Sequence, residues 1–312
     1  MADRILVTGG CGFIGTEVVR QLVARGYQVR VVDNLSKPYS RVPPGVEFVR
    51  ADLARDGAAE PVFAGVRACI NLAARIGGIG YFHRYPATIL AENNQIYSNT
   101  FEAAVRQKID RMIFMSSSMV YESAERFPSR EEDVARLPPP HTAYGFSKLV
   151  GEWYCRAFRE QHGLRYTIIR PFNAFGPEEE AGEEVGEAHV IPDLVKKVRS
   201  GQYPLELLGD GRQTRCFTHV RDIANGVIVA MESERAVDED FNLSRPEEIT
   251  MLGLAEKIFK LFHPDRPFQA KFVPGFPSDI RRRIPDTTKA RELLGWQAAT
   301  SLDDGLKEIV AT

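Results

Sequence analysis

Two hydrophobic rhythms alternate through the first half of the chain. Short apolar runs occur at Arg4-Ile-Leu-Val-Thr8, Gln28-Val-Arg-Val-Val32, Val46-Glu-Phe-Val49, Ala68-Cys-Ile-Asn-Leu72, Met112-Ile-Phe-Met115 and Tyr166-Thr-Ile-Ile169. Their length and their Val and Ile content suit buried strands. Between them, at 16–25, 96–106 and 143–160, apolar residues fall three and four apart, the spacing of one face of a helix. Strands alternating with amphipathic helices predict βαβ units and a mostly parallel sheet.

The texture changes after Arg170. Residues 171–186 are rich in Gly, Pro and Glu and read as a surface excursion. A helical piece at 192–200, a short run at Leu205-Glu-Leu-Leu208 and the turn signal Gly209-Asp-Gly211 follow. The helix-like stretch 220–231 leads to Asp240-Phe-Asn-Leu243, which the pattern offers as one more strand of the main sheet, and a last helix is predicted at 252–262. The predicted organisation is two units, one built from 1–172 and 216–244, the other from the discontinuous segments 173–215 and 245–312.

Composition removes whole classes of function. The 312 residues include 40 Lys+Arg and 42 Asp+Glu, a formal charge of −2, so the basic excess that phosphate-backbone binding draws on is missing and no nucleic-acid partner is expected. At 44% apolar and 26% charged, the chain has material for one large or two modest cores. No apolar stretch nears the ~18 residues needed to cross a bilayer, and Asp3 and Arg4 open a strand pattern rather than a signal-peptide core. The expectation is a cytoplasmic protein without a membrane partner. Cys11, Cys69, Cys155 and Cys216 lie far apart without metal-ligand spacing, so neither disulfide nor metal is expected.

The first strand run delivers the chain into Gly9-Gly-Cys-Gly12-Phe-Ile-Gly15, ahead of a helical stretch closed by Gly26. Glycines at this spacing permit a tight turn, let backbone N–H groups approach a pyrophosphate at the helix N-terminus, and let helix and strand pack closely. A glycine turn without a ligand has the same spacing; context separates the two. These glycines follow a strand and open a helix, and Asp33 ends the second strand about 20 residues on, where a dinucleotide-binding fold places the carboxylate that accepts from ribose hydroxyls. Asn34 and Leu35 follow with no adjacent Arg, so a 2′-phosphate is repelled and NAD is favoured over NADP. The fold class predicted is α/β: a Rossmann-type doubly wound parallel sheet with a smaller, discontinuous α/β substrate-binding domain.

Tyr144 and Lys148 lie four apart in a helical segment and so share one face. The pair alone is a common pattern, and its setting gives it meaning. Ser116, Ser117 and Ser118 follow the run Met112 to Met115, at the carboxyl edge of a parallel strand, where open α/β sheets bind ligands. A tyrosine of ordinary pKa about 10 is a poor base, but a neighbouring ammonium and a positive nicotinamide favour the phenolate. Ser117 is then placed to hold a substrate hydroxyl. A regulatory NAD-binding protein without turnover would keep the glycines and Asp33 but has no need of Tyr144, Lys148 and Ser117 together.

These segments, with Asn71-Leu-Ala-Ala74, Ser116-Ser-Ser-Met-Val-Tyr121, Tyr144-Gly-Phe-Ser-Lys148, Arg170-Pro-Phe-Asn-Ala-Phe-Gly-Pro177 and Gly209-Asp-Gly-Arg-Gln-Thr-Arg215, resemble the extended short-chain dehydrogenase/reductases that act on nucleotide sugars. The resemblance runs from Arg4 to Leu293-Leu-Gly-Trp296. It implies a Ser117, Tyr144 and Lys148 triad, and NAD held by Gly9, Gly12, Phe13, Ile14, Gly15, Asp33, Asn34, Asp52, Leu53, Leu72, Ala73 and Ala74 together with Tyr144 and Lys148. It implies a nucleoside-diphosphate sugar at Gly78, Ser117, Ser118, Asn173, Val190 and Arg215, with Arg281 or Arg282, here Arg282, as a second guanidinium suited to phosphate. A homodimer is implied as well.

The loop Ala73-Ala-Arg-Ile-Gly-Gly-Ile-Gly80 resembles GDP-mannose 3,5-epimerases and GDP-fucose synthases more than UDP-galactose 4-epimerases. His189-Val-Ile-Pro192 resembles the synthase stretch that carries an acid/base histidine. Met119 departs from the pattern. Those enzymes have a cysteine there, and dehydratases and decarboxylases a glutamate, whereas a thioether cannot move a proton. The resemblance implies an NAD-dependent nucleotide-sugar epimerase that oxidises C4 transiently. Met119 favours inversion at C4; the glycine loop favours a GDP-sugar 3,5-epimerase, and His189 a 4-keto-sugar epimerase/reductase.

Overall fold

The structure is a computed structural model and describes residues 4–37, 40–181, 189–276 and 280–311. Its first half alternates as the hydrophobic rhythm requires: β1 (Arg4–Thr8), α1 (Phe13–Ala24), β2 (Gln28–Asp33), β3 (Glu47–Arg50), α2 (Glu60–Phe63), β4 (Ala68–Asn71), α3 (Ile79–Arg84), α4 (Pro86–Arg106), β5 (Arg111–Met115), α5 (Ala143–His162) and β6 (Tyr166–Pro171). Then come β7 (Ala174–Phe175), α6 (Val190–Arg199), β8 (Leu205–Leu208), β9 (Thr214–Cys216), β10 (Thr218–His219), α7 (Val220–Glu232), β11 (Glu239–Leu243), β12 (Glu248–Thr250), α8 (Met251–Phe262), β13 (Ala270–Val273), β14 (Arg282–Arg283), α9 (Thr288–Leu294) and α10 (Leu302–Ala311). Helix α4 begins ten residues before the apolar periodicity does, because Pro86 sits in its first turn, where a missing N–H costs nothing.

Seven strands form one sheet in the order β11-β6-β5-β4-β1-β2-β3, and every neighbouring pair is parallel. The run at 240–243 joins it at the edge, with Asp240 opposite Ile168. Strand order reverses between β1 and β4, and such a reversal opens a crevice at the carboxyl ends of the strands. Alternate side chains feed two cores. Ile5, Val7, Val31 and Ile70 pack with Val18 and Leu22 of α1 and with Ile223 and Val227 of α7. On the other face Leu6, Cys69, Met112 and Phe114 pack with Phe63, Tyr97, Phe101 and Cys155.

A third core lies outside the sheet, where α6, α8 and α10 enclose Leu205, Leu207 and Phe217. The segment 245–312, expected to belong to this unit, divides. Ala290, Trp296 and Ala298 are buried in the first core, whereas Leu306 and Ile309 join the third. Trp296 is the physical reason, since its indole packs against the position of Gly226 on α7 and fills the groove there. Among the described residues no helix is long and apolar enough to cross a membrane.

Candidate active site

A cavity of about 830 Å³ follows the carboxyl ends of the central strands and reaches across to α6, β8 and β14. At its sheet end lies a cradle. Helix α1 has no side-chain cap and no acidic residue in its first turn, so its first N–H groups and the positive end of its dipole are open to an anion. The glycines are sterically required. Gly9 has φ +66°, and a Cβ on Gly15 would fall 2.3 Å from the Gly9 carbonyl oxygen. Asp33 ties the loop to the end of β2, Oδ2 accepting the Cys11 N–H at 3.1 Å and Oδ1 the Leu35 N–H at 2.8 Å. Each oxygen keeps a further lone pair for a ribose hydroxyl. Gly12, Phe13, Ile14, Asn34, Asp52, Leu53, Leu72, Ala73 and Ala74 line the same end. The cradle therefore fits the pyrophosphate and ribose of a dinucleotide.

The chemical centre is built where β5 meets α5. Thr142 caps α5, its Oγ1 accepting the Gly145 N–H at 3.1 Å, which places Tyr144 in the first turn and Lys148 one turn on. Both line the cavity with Ser117 and Ser118. The Tyr144 ring is buried and stacks on Phe82 at 4.5 Å between centroids. The Lys148 Nζ donates to the Met115 carbonyl at 2.8 Å and lies 5.8 Å from the Tyr144 ring centroid. Burial pushes Lys148 down to about 7 and Tyr144 up to about 12, against the pull of a Ser117 hydrogen bond and the Arg283 charge. The expectation that a neighbouring ammonium favours the phenolate is thus corrected for the protein alone: desolvation is the largest effect on both groups. Ser116 is structural, donating to buried Glu152 at 2.7 Å.

At the far end Asn173 donates to the Cys216 carbonyl at 2.8 Å and accepts from Arg283 Nη2 at 2.7 Å. Arg215 Nη1 donates to the carbonyls of Thr214 and Ile280. Gly78, Val190 and His189 line this end too. The His189 Nδ1 is hydrogen-bonded to the Glu179 carboxylate. Partial desolvation lowers the His189 pKa, but the Glu179 charge and hydrogen bond outweigh it and hold it above the ordinary value.

Arg282 does not face the cavity. It is exposed and pairs with Glu248 at 2.9 Å, and Arg281 pairs with Asp210 at 2.9 Å. Side chains alternate along β14, and Arg283, in register with Arg215, is the one turned inward. Its Nη1 donates to the Met119 sulfur.

Residues 5–244 match the model of the NAD dependent epimerase/dehydratase family. The chain belongs to this family. UDP-glucuronic acid decarboxylase 1 from Danio rerio is 30% identical over 98% of this chain and 72% of its own length. GDP-mannose 3,5-epimerase 1 from Oryza sativa subsp. japonica is 31% identical over 97% of this chain and 80% of its own. Among solved structures, UDP-glucose 4-epimerase with UDP-glucose from Thermotoga maritima superposes with a TM-score of 0.88 at 30% identity, covering 99% of this chain and 97% of that one. As a family member the chain is an NAD-dependent nucleotide-sugar enzyme, and the relatives span several reactions.

Three cavity residues escape a reading of the sequence. Arg283 carries a strand-alternation signal that a three-arginine run conceals. Glu179 falls in the Gly/Pro/Glu-rich stretch that reads as solvated surface. Phe82 lies in a short helix whose pattern gives no sign that it covers Tyr144.

Proposed function

We propose that the protein is a nucleoside-diphosphate-sugar 4-epimerase. One observation carries this reading: beside the Ser117, Tyr144 and Lys148 group the wall holds Met119, its sulfur occupied by Arg283. Inversion next to a C4 ketone removes a carbon-bound proton on one face and returns one on the other, which calls for two positioned groups; inversion at C4 needs none beyond the group that serves its hydroxyl. Tyr144 takes the C4 hydroxyl proton and later returns it to the same oxygen. Ser117 holds that hydroxyl against the ring. Bound NAD supplies the acceptor and donor of the C4 hydride and, when oxidised, a positive charge that offsets the burial of Tyr144. Asp33 holds the ribose diol of the cofactor, and Asn173, Arg215 and Arg283 face the diphosphate of the substrate, for which guanidinium forks are suited.

A second reading, a 3,5-epimerase or 4-keto-sugar epimerase/reductase, is favoured by the pairing of His189 with Glu179 inside the cavity, which is an acid/base arrangement. Turnover of UDP-glucose and GDP-mannose in deuterated water separates the two. Inversion at C4 leaves every carbon-bound position of the product unlabelled. Deuterium at C3 or C5 would replace this proposal with the second reading and assign the proton transfer to His189. We also read the protein as a cytoplasmic homodimer, supported by four free, buried cysteines and by Phe146 and Trp153, seven apart on α5 and 38% and 63% exposed.

A further inference from the structure

Helix α5 places Tyr144 in the cavity wall, but a helix position does not set the plane of a ring. Rotation about the Cβ–Cγ bond of a tyrosine is a broad, two-fold torsion, so the ring needs a neighbour to fix it. Phe82 of α3 is that neighbour. The two rings lie 4.5 Å apart between centroids and 6° from parallel, and both line the cavity. Phe82 is itself 9% exposed, so its own ring is held. An aliphatic side chain would fill the same space but present no flat face to the phenol.

The contact has a small core of its own. Phe82, Ile89 and Tyr144 form it, with Ile76, Tyr81 and Met119 packed against them, apart from the three larger cores. The glycine loop at 73–80 is what brings Phe82 there. A Cβ on Gly77 would fall 2.7 Å from the Tyr81 Cβ, so a glycine lets the first turn of α3 lie back on the loop. The Phe82 N–H then closes that turn on the Gly78 carbonyl at 3.2 Å. Stacking also shuts water out from one face of the phenol and sets two electron-rich faces together, and both effects oppose the phenolate.

We propose that Phe82 is a positioning residue for Tyr144: its ring holds the plane of the phenol, and with it the hydroxyl, at the angle from which the sugar proton is taken, and keeps water off that face. The inference rests on the reading of Tyr144 as the acid/base group given above. Phe82→Ala, Phe82→Leu and Phe82→Tyr test it. The NAD-loaded enzyme is assayed across pH with UDP-glucose and GDP-mannose, and Tm is recorded. Cofactor-free protein carrying fluorotyrosine is titrated by fluorine NMR, the Tyr144 signal being the one missing from Tyr144→Phe. On the plateau kcat falls about tenfold in the Ala and Leu variants with KM unchanged, and Phe82→Tyr, which keeps the ring, retains it. In Phe82→Ala water reaches the uncovered face, so the Tyr144 signal titrates about one pH unit lower and the acid limb of kcat moves down with it. A lower Tm with kcat and titration unmoved is the mark of a packing residue and overturns the inference. Should neither substrate turn over, the titration alone decides: a lowered signal in Phe82→Ala supports the shield and an unmoved one overturns it. A Tyr144→Phe variant as active as wild type overturns the acid/base reading, and this inference with it, whereas unmoved Phe82 variants beside an inactive Tyr144→Phe overturn the inference alone.

Discussion

Lys148 and Tyr144 share a buried pocket in which the charged form of each is disfavoured, yet only for Lys148 does the consequence fall within an accessible pH range. The ammonium loses its charge at about 7 in the folded chain against an ordinary value of 10.5. Between those values the unfolded chain binds the additional proton, so stability rises with pH across the window, and the full penalty stands below pH 7. Lys148→Met removes the titrating group at similar volume. In cofactor-free protein the stability difference, variant minus wild type, is therefore greatest below pH 7 and shrinks as pH climbs toward 10.5, whatever constant offset the lost Met115 hydrogen bond adds. Urea unfolding at pH 6, 8 and 10 reads this directly. A difference independent of pH would mean that Lys148 is not desolvated as the structure has it. The Tyr144 and Lys148 pair is also the part of the site most legible in sequence, because four residues along a helix fix a shared face without any long-range information. Glu179 and Arg283 are illegible for the opposite reason, since one acquires its place through a partner across a loop and the other through a strand register.

At the scale of elements, the glycine turn and Asp33 were readable because strand, turn and helix are consecutive, and the edge strand at 240–243 because Asp240-Phe-Asn-Leu243 alternates polar and apolar residues as a strand does. What holds those elements together was not. Arg170, on β6, is fully buried and forked onto Glu152 of α5 at 2.7 Å through both Nε and Nη2. It also donates to the Tyr121 hydroxyl at 2.9 Å and pairs with Asp240 of β11 at 2.8 Å. Ser116, next to the cavity-lining Ser117, donates to the same Glu152, so one guanidinium links the edge strand, the helix of Tyr144 and the serine turn. In the sequence this arginine closes a strand run and opens a family motif, and neither feature shows which carboxylates it meets. Arg170→Met leaves Glu152 buried with only Arg156, 3.5 Å away, as a cationic partner among the described residues. The expected loss is about 3–5 kcal/mol in urea unfolding, the scale for breaking a buried pair from one side. Arg170→Met combined with Glu152→Gln recovers part of it, because the uncompensated charge is then gone. No recovery in the double variant would show that the loss came from packing rather than from the stranded carboxylate.

The whole molecule turns two faces of α5 to different tasks. Tyr144, Ser147, Lys148, Gly151 and Cys155 point inward and are buried, whereas Phe146 and Trp153 point away. An indole 63% exposed is unusual on a chain whose cores bury nearly all their large apolar side chains, and Phe146 extends the apolar stripe by two turns. Aromatic anchors of this kind dominate association when they meet a complementary pocket, and a C2 pairing of one α5 with another places each stripe against its own copy. The face that carries Tyr144 and Lys148 is turned the other way, so pairing leaves the cavity open. Sedimentation at micromolar concentration should then give twice the chain mass of 35.0 kDa, and Trp153→Glu should reduce it to the single-chain value by placing two carboxylates across the axis. The monomeric variant should still bind UDP-glucose and NAD, because neither Phe146 nor Trp153 lines the cavity. A wild-type protein that sediments as a monomer would remove the homodimer, and a Trp153→Glu variant that remains dimeric would move the interface off α5.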